Sequence, residues 1–152
     1  MSRESYSRTI TVKNNVKAAY AALTIGFANW WTKPDVPLLK QGDQAKFTFL
    51  PGKSYWKFEA IELIPDEKVV MKCVEALHLH EGYSDEIKQE WLNTTVVFKI
   101  NKRDEGTEIS IEHIGLLPTL YCYKICEAGW DFFFTESLKL YLETGIGKPH
   151  QL

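Results

Sequence analysis

Few side chains in this chain are of a type and spacing that could do chemistry. His78 and His80 stand two apart with Glu75 and Glu81 beside them, so on an extended backbone both imidazoles share a face. A zinc site needs about four ligands, and no second ligand cluster accompanies this pair. The sequence therefore gives no metal and no cofactor. Cys122 and Cys126 fall on one face of a helix, but without a CxxC spacing or a histidine nearby they read as packing residues. His113 ends an alternating stretch and shares a face with Ile109 and Ile111. An imidazole there can orient a carbonyl or move a proton near neutral pH. No base or nucleophile partners it, so it reads as a hydrogen-bonded structural histidine at a sheet rim.

The acids Asp35, Asp43, Glu59 and Glu90 cannot be set at a defined separation. Glu59 alternates outward from Phe58, and Glu90, just before Trp91, is placed at the mouth of any cavity. Gly145-Ile146-Gly147-Lys148 follows a helix instead of preceding one and is no phosphate loop. Lys102-Arg103-Asp104-Glu105 reads as a solvent-facing hairpin tip.

The elements that would position these groups are clearer. PTLYCYKICEAGWDFFFTESLKLYLETG predicts a long helix from Pro118 to about Glu143, with proline in its first turn and Gly145 as its left-handed cap. Tyr123, Cys126, Trp130, Phe133, Phe134, Ser137, Leu138 and Tyr141 form one stripe along it. Gly129 interrupts that helix at a cost of about 1 kcal/mol relative to alanine, so close packing or a ligand must require its missing side chain.

Upstream, residues 6–13 alternate as a strand. Asn14 or Asn15 caps a short helix over VKAAYAALT, and a second helical piece carries Phe27, Trp30 and Trp31 before Pro34 and Pro37. Strands follow with Ala45, Phe47 and Phe49 on one face, then Trp56, Phe58 and Ala60, then Val69, Met71 and Cys73, joined by turns at Pro51-Gly52 and Pro65-Asp66-Glu67. Residues 77–90 read as an extended loop or mobile flap. EWLNTTVVFKIN and TEISIEHI complete the strands. Connections this short make the sheet antiparallel and the class α+β, in a single domain over residues 1–152.

The chain has 152 residues, 45% hydrophobic and 25% charged, and a net charge of −2 from 18 basic and 20 acidic residues without a basic stripe. That balance argues against a nucleic-acid partner. No apolar run is long enough for a signal region or a membrane span. Its 3 cysteines read as buried free thiols in a reducing, cytoplasmic setting.

Trp30-Trp31, Trp91-x-x-Thr94, Gly106-Thr107 with His113-x-Gly115, and Gly129-Trp130 followed by Ser137-Leu138, Tyr141 and Gly145 resemble one family in pattern and order. That family is the homologues of the activator of heat-shock protein 90 ATPase, in the START-like (SRPBCC, pollen-allergen-like) helix-grip superfamily. The resemblance runs from about Ser7 to Pro149. It implies a curved antiparallel sheet wrapped around a long C-terminal helix, with a cavity between them. Members bind lipids, hormones, polyketides or other apolar molecules, and a few catalyse cyclisation or dehydration. Eukaryotic co-chaperones of the family carry a further N-terminal domain that these residues do not include, so chaperone activation is not carried over.

On that fold, alternation aims Phe47, Phe49, Trp56, Phe58, Met71 and Cys73 at the helix, together with His113 and either Trp91 or Leu92. Trp30 joins them, and Tyr123, Trp130, Phe133 and Phe134 face them. The leading expectation is a non-catalytic carrier or sensor for an apolar small molecule, oriented by one polar contact from His113 or Tyr123. Access would lie between the 30–42 loop, residues 77–90 and the first half of the helix. Two alternatives stay open. One is a cyclase or dehydratase using His113, Tyr123 and Glu90. The other is an interaction protein exposing Trp30 and Trp31 or the 77–90 segment. The chain is a monomer or a homodimer.

Overall fold

The computed structural model describes residues 5–49 and 53–151. Strands β1 (Tyr6–Val12), β2 (Gln44–Phe49), β3 (Ser54–Ile64), β4 (Lys68–Leu77), β5 (Thr95–Arg103) and β6 (Gly106–Ile114) form one 6-stranded sheet in the order β1-β6-β5-β4-β3-β2. Every pairing is antiparallel. The N-terminal strand closes against the last, with Tyr6 opposite His113 and Val12 opposite Thr107. The chain then passes through helix α1 (Val16–Ala22) to reach the other edge at β2. The Pro51-Gly52 turn expected between β2 and β3 lies outside the described residues.

Of the two candidate caps for α1, Asn15 does the work: its side-chain oxygen accepts from the Ala18 N–H at 2.8 Å. Asn14 instead donates to the Leu142 carbonyl at 2.7 Å and ties this turn to the C-terminal helix. The second helical piece is a single tight turn, Phe27–Asn29. Trp30 follows it, and its indole N–H donates to the Ala22 carbonyl at 2.8 Å. Trp30 and Trp31 are 0% and 3% exposed, so they form no surface patch.

The C-terminal helix begins later than its sequence suggests. α2 (Tyr123–Trp130) continues without interruption into a wider segment, Asp131–Leu138, with i→i+5 bonding, and then into α3 (Lys139–Thr144). Gly145, at φ 89°, closes it, and its N–H reaches the Tyr141 carbonyl at 2.8 Å. Pro118–Cys122 form turns, not helix. The true start is set from a distance, where the Glu90 carboxylate accepts the N–H groups of Tyr121 at 2.9 Å and Cys122 at 2.8 Å. Glu90, expected at a cavity mouth, is therefore a helix cap.

Two local features set which side chains face the helix. Phe58 pairs with Cys73 but Lys57 pairs with Glu75, so Val74 is an extra residue in β4. Past this bulge the inward phase flips from Val69, Met71 and Cys73 to Ala76 and then His78, all of them buried. In the second, Trp91–Thr94 is a turn that precedes β5, where the sequence suggested strand. Asn93 takes φ 70°, its N–H bonds the Cys73 carbonyl at 2.8 Å, and Trp91 is turned inward at 5% exposure. The 77–90 stretch is an extended loop with one tight turn, Asp85–Ile87, anchored by buried Ile87 and by the His78 N–H on the Lys88 carbonyl at 2.9 Å. Among the described residues no helix is long and apolar enough to cross a membrane.

Glu90→Ala should cost about 0.5–2 kcal/mol of unfolding free energy, the usual range for a lost helix cap, and should fray the first turn of α2. Denaturant melts with amide exchange at Tyr121 and Cys122 read both effects. Unchanged stability and protection would show that the helix start does not depend on this carboxylate.

Candidate functional site

All 5 tryptophans join in one chain of ring contacts between sheet and helix. Trp56 meets Trp91 at 4.6 Å between centroids, and Trp91 lies parallel to Trp130 at 6.0 Å and 6°. Trp130 stacks on Trp31 at 4.9 Å, and Trp31 on Trp30 at 6.1 Å. Trp130 is fixed by a buried relay. Its indole N–H, which can only donate, bonds His113 Nδ1 at 3.0 Å. That fixes the tautomer, so His113 Nε2–H donates to Thr94 Oγ1 at 2.8 Å, and the Thr94 hydroxyl donates to the Trp91 carbonyl at 2.6 Å. Gly115, two residues on, has φ +102°, and a Cβ there would stand 2.8 Å from the Thr94 methyl.

Beside this relay a pocket of about 460 Å³ opens partly to solvent between β2, β3, residues 78–80 and α2. Trp31, Phe49, Trp56, Trp91, Trp130 and Phe133 give it aromatic walls. The helix side is completed by Ile125, Cys126, Ala128 and Gly129, and the rim by Ser54, His78, Leu79 and His80. Ser54 Oγ donates to the Leu79 carbonyl at 2.9 Å and accepts its N–H at 2.8 Å, pinning the rim to β3. The volume falls in the range of small-molecule sites, roughly 300–1,000 Å³. Two buried nitrogens of pocket residues, Trp56 Nε1 and His78 Nδ1, have no hydrogen-bond partner among the described residues. Each such orphan costs about 1–3 kcal/mol when it stays unsatisfied.

The structure divides the sequence-selected residues. Phe49, Trp56, Trp91, Trp130 and Phe133 come together around the pocket. Trp30, Phe47, Phe58, Met71, Cys73 and Phe134 have no exposure and fill the core. His113 is also fully buried with both ring nitrogens engaged, so it is an internal strut and offers nothing to a ligand. The Tyr123 hydroxyl donates to Glu127 at 3.3 Å, and Tyr123 is absent from the pocket wall. His113, Tyr123 and Glu90 are thus committed to separate tasks and do not converge as a catalytic set. Trp31, the 78–80 rim and the short side chains of α2 were not among the wall residues selected from sequence, although the 30–42 loop and residues 77–90 were expected to flank the entrance. Gly129, the mid-helix glycine, was the one signal that pointed to the last group.

His78 also meets groups that the sequence kept apart. Its ring and the sulfurs of Cys122 and Cys126 offer ligand atoms that all lie within 4.8 Å of one another. The two sulfurs are 2.9 Å apart, and the Trp91 indole N–H reaches Cys126 Sγ at 3.2 Å. Cys122 and burial together push the Cys126 thiol far up.

Burial lowers the His113 pKa to about 3, and a proton on Nδ1 would also confront the Trp130 N–H. The unfolded chain binds that proton near pH ~6.5, so between about 6.5 and 3 the unfolded state carries one proton more. Stability is then full above that window and falls with decreasing pH by about 1.4 kcal/mol per unit. Burial holds His78 at about 4, which adds loss of the same sign. His113→Gln should make the slope shallower by about 1.4 kcal/mol per unit between roughly pH 6 and 4, read by urea melts. An unchanged slope would mean that His113 takes up its proton in the folded state.

No family model matches this sequence, and no curated protein matches it. Solved structures do match. The Aha1 dimer from Colwellia psychrerythraea is similar over 97% of this chain and 100% of that one, with TM-score 0.73 and 23% identity. DynU16, a protein in the dynemicin biosynthetic locus, matches over 96% of this chain with TM-score 0.72 and 18% identity, although the match spans only 49% of DynU16. CV1439 from Chromobacterium violaceum matches over 91% of this chain and 97% of its own, with TM-score 0.72 and 16% identity. At such identities the likeness is one of fold. The six-stranded antiparallel sheet and long C-terminal helix give this chain the START-like helix-grip fold that its sequence resembles.

Proposed function

We propose that this protein binds an apolar small molecule in the pocket between its sheet and C-terminal helix, as a non-catalytic carrier or sensor. Gly129 is the observation that carries this reading. A Cβ built there meets nothing within 4 Å, so no packing neighbour requires the glycine. Evolution of a filled core would favour alanine, which is better by about 1 kcal/mol in a helix interior. Glycine keeps that part of the pocket wall open.

The aromatic walls favour a ligand with a flat or extended apolar body, driven into place by transfer of its surface out of water. Trp56 Nε1–H can only donate, so the ligand offers it a hydrogen-bond acceptor. The His78 ring nitrogen takes either role. An acid–base mechanism lacks support because the three groups it would use serve elsewhere. A surface role through Trp30 and Trp31 lacks it because both are buried.

The test is a native mass spectrum beside the denatured mass, for the purified protein and for two variants. Wild type should carry extra mass that denaturation removes. Gly129→Ala should fold with stability raised by about 0.5–1 kcal/mol. Gly129→Leu, which extends an apolar side chain into the pocket, should fold and arrive bare. An adduct retained by Gly129→Leu, or a variant destabilised as if the site were packed, would contradict the proposal.

A further inference from the structure

We propose that His78, Cys122 and Cys126 bind a single divalent zinc ion whose fourth coordination position opens on the aromatic pocket. The ligand atoms already lie within 4.8 Å of one another, and all three residues are buried. Cys122, the N-cap of α2, and Cys126, one turn on, stand four apart, the spacing at which the two histidines of HExxH motifs grip one zinc ion. The third ligand comes from the rim of the sheet, aimed inward by the β4 bulge. Cys126 Sγ donates to Cys122 Sγ at 2.9 Å, so the two sulfurs already face each other. Tetrahedral zinc with Zn–S bonds of ~2.3 Å would hold them roughly 3.8 Å apart, which small side-chain rotations supply.

Charge selects the ion. Two thiolates and one neutral imidazole sum to −2, so a divalent ion leaves the buried centre neutral, whereas a monovalent one leaves a net charge without a counter-ion. Sulfur ligands exclude magnesium and calcium. Binding replaces two S–H bonds by two Zn–S bonds and releases two protons, with no change of oxidation state. The surroundings suit such a centre. Trp91 donates its N–H to Cys126 Sγ at 3.2 Å, and Cys122 stands at the N-cap of α2. Glu90 anchors that turn through the Cys122 N–H at 2.8 Å. His78 Nδ1 makes no hydrogen bond among the described residues. Among the described residues the cluster comprises these three groups alone. His78 and Cys126 both line the pocket, so the remaining position faces it. There a water, or a thiolate, carboxylate or ring nitrogen on a pocket ligand, would complete the shell.

Metal uptake is read without any organic ligand, so this inference and the carrier reading fail separately. Reduced, metal-free protein is titrated with cobalt(II), following thiolate-to-cobalt charge-transfer and tetrahedral ligand-field absorption. We expect one cobalt per chain, displaced by one zinc. Cys122→Ser and Cys126→Ser should each weaken it by more than about 100-fold, beyond what loss of an outer-sphere partner costs. Cys73→Ser should bind as wild type, because its sulfur stands outside the cluster on the Glu75 carbonyl at 3.4 Å. X-ray absorption of the zinc-loaded wild type needs no variant and should show two sulfur neighbours at ~2.3 Å. The proposal is overturned if the reduced wild type gives no thiolate-to-cobalt band, if the band survives in the double cysteine variant, or if zinc shows only nitrogen and oxygen neighbours.

Discussion

The hydrogen bond from the Trp130 indole to His113 Nδ1 is the contact on which the rest of the arrangement depends. It is made without water, at 0% exposure for His113, and it joins the middle of the C-terminal helix to the last strand of the sheet. A buried polar pair of this kind is costly unless every atom is satisfied. Here Thr94 and the Trp91 carbonyl complete the set. The relay thus fixes three things together: the crossing of helix over sheet, the tautomer of His113, and the inward turn of Trp91. Mutual support of this kind gives the long helix one docking geometry instead of several similar ones on a greasy surface.

The pocket follows from that docking. On one side of Trp130, Phe98 and Phe134 close the space between sheet and helix, with rings 6.2 Å apart and no exposure. On the other, the residues just before Trp130 are Ala128 and Gly129, and the gap stays open. The chain of tryptophans runs along the boundary between filled and open regions. Large rigid rings suit that position, because they hold the shape of a wall without support from the empty side. The same end of the helix carries the thiols that meet His78, so apolar surface and a soft ligand cluster share one opening.

Much of this was legible in the sequence. Alternation in β2, β3 and the first half of β4 placed Phe47, Phe58, Met71 and Cys73 inward, and the helical stripe placed Cys126, Trp130, Phe134, Ser137 and Leu138, all buried. Period alone could not divide wall from filling, since Phe47 and Phe49 share a face yet only Phe49 reaches the pocket. Three misreadings have identifiable causes. The bulge at Val74 reverses the phase of β4, so the alternation that placed Cys73 inward could not place His78. The left-handed Asn93 left Trp91 and Leu92 undecided. Glu90 starts the helix from far along the chain, which no local propensity records. The His78–Cys122–Cys126 cluster needs both the first and the third of these and was invisible for that reason.

The most direct measurement is a heteronuclear NMR spectrum of the 5 indole N–H groups, recorded while anilinonaphthalene sulfonate is added as an apolar probe. The account predicts that the Trp56 signal, whose N–H has no partner, moves with saturation, while that of Trp30, bonded to the Ala22 carbonyl, does not. A dye that binds without moving Trp56, or that moves all the indoles alike, would contradict a ligand site between sheet and helix.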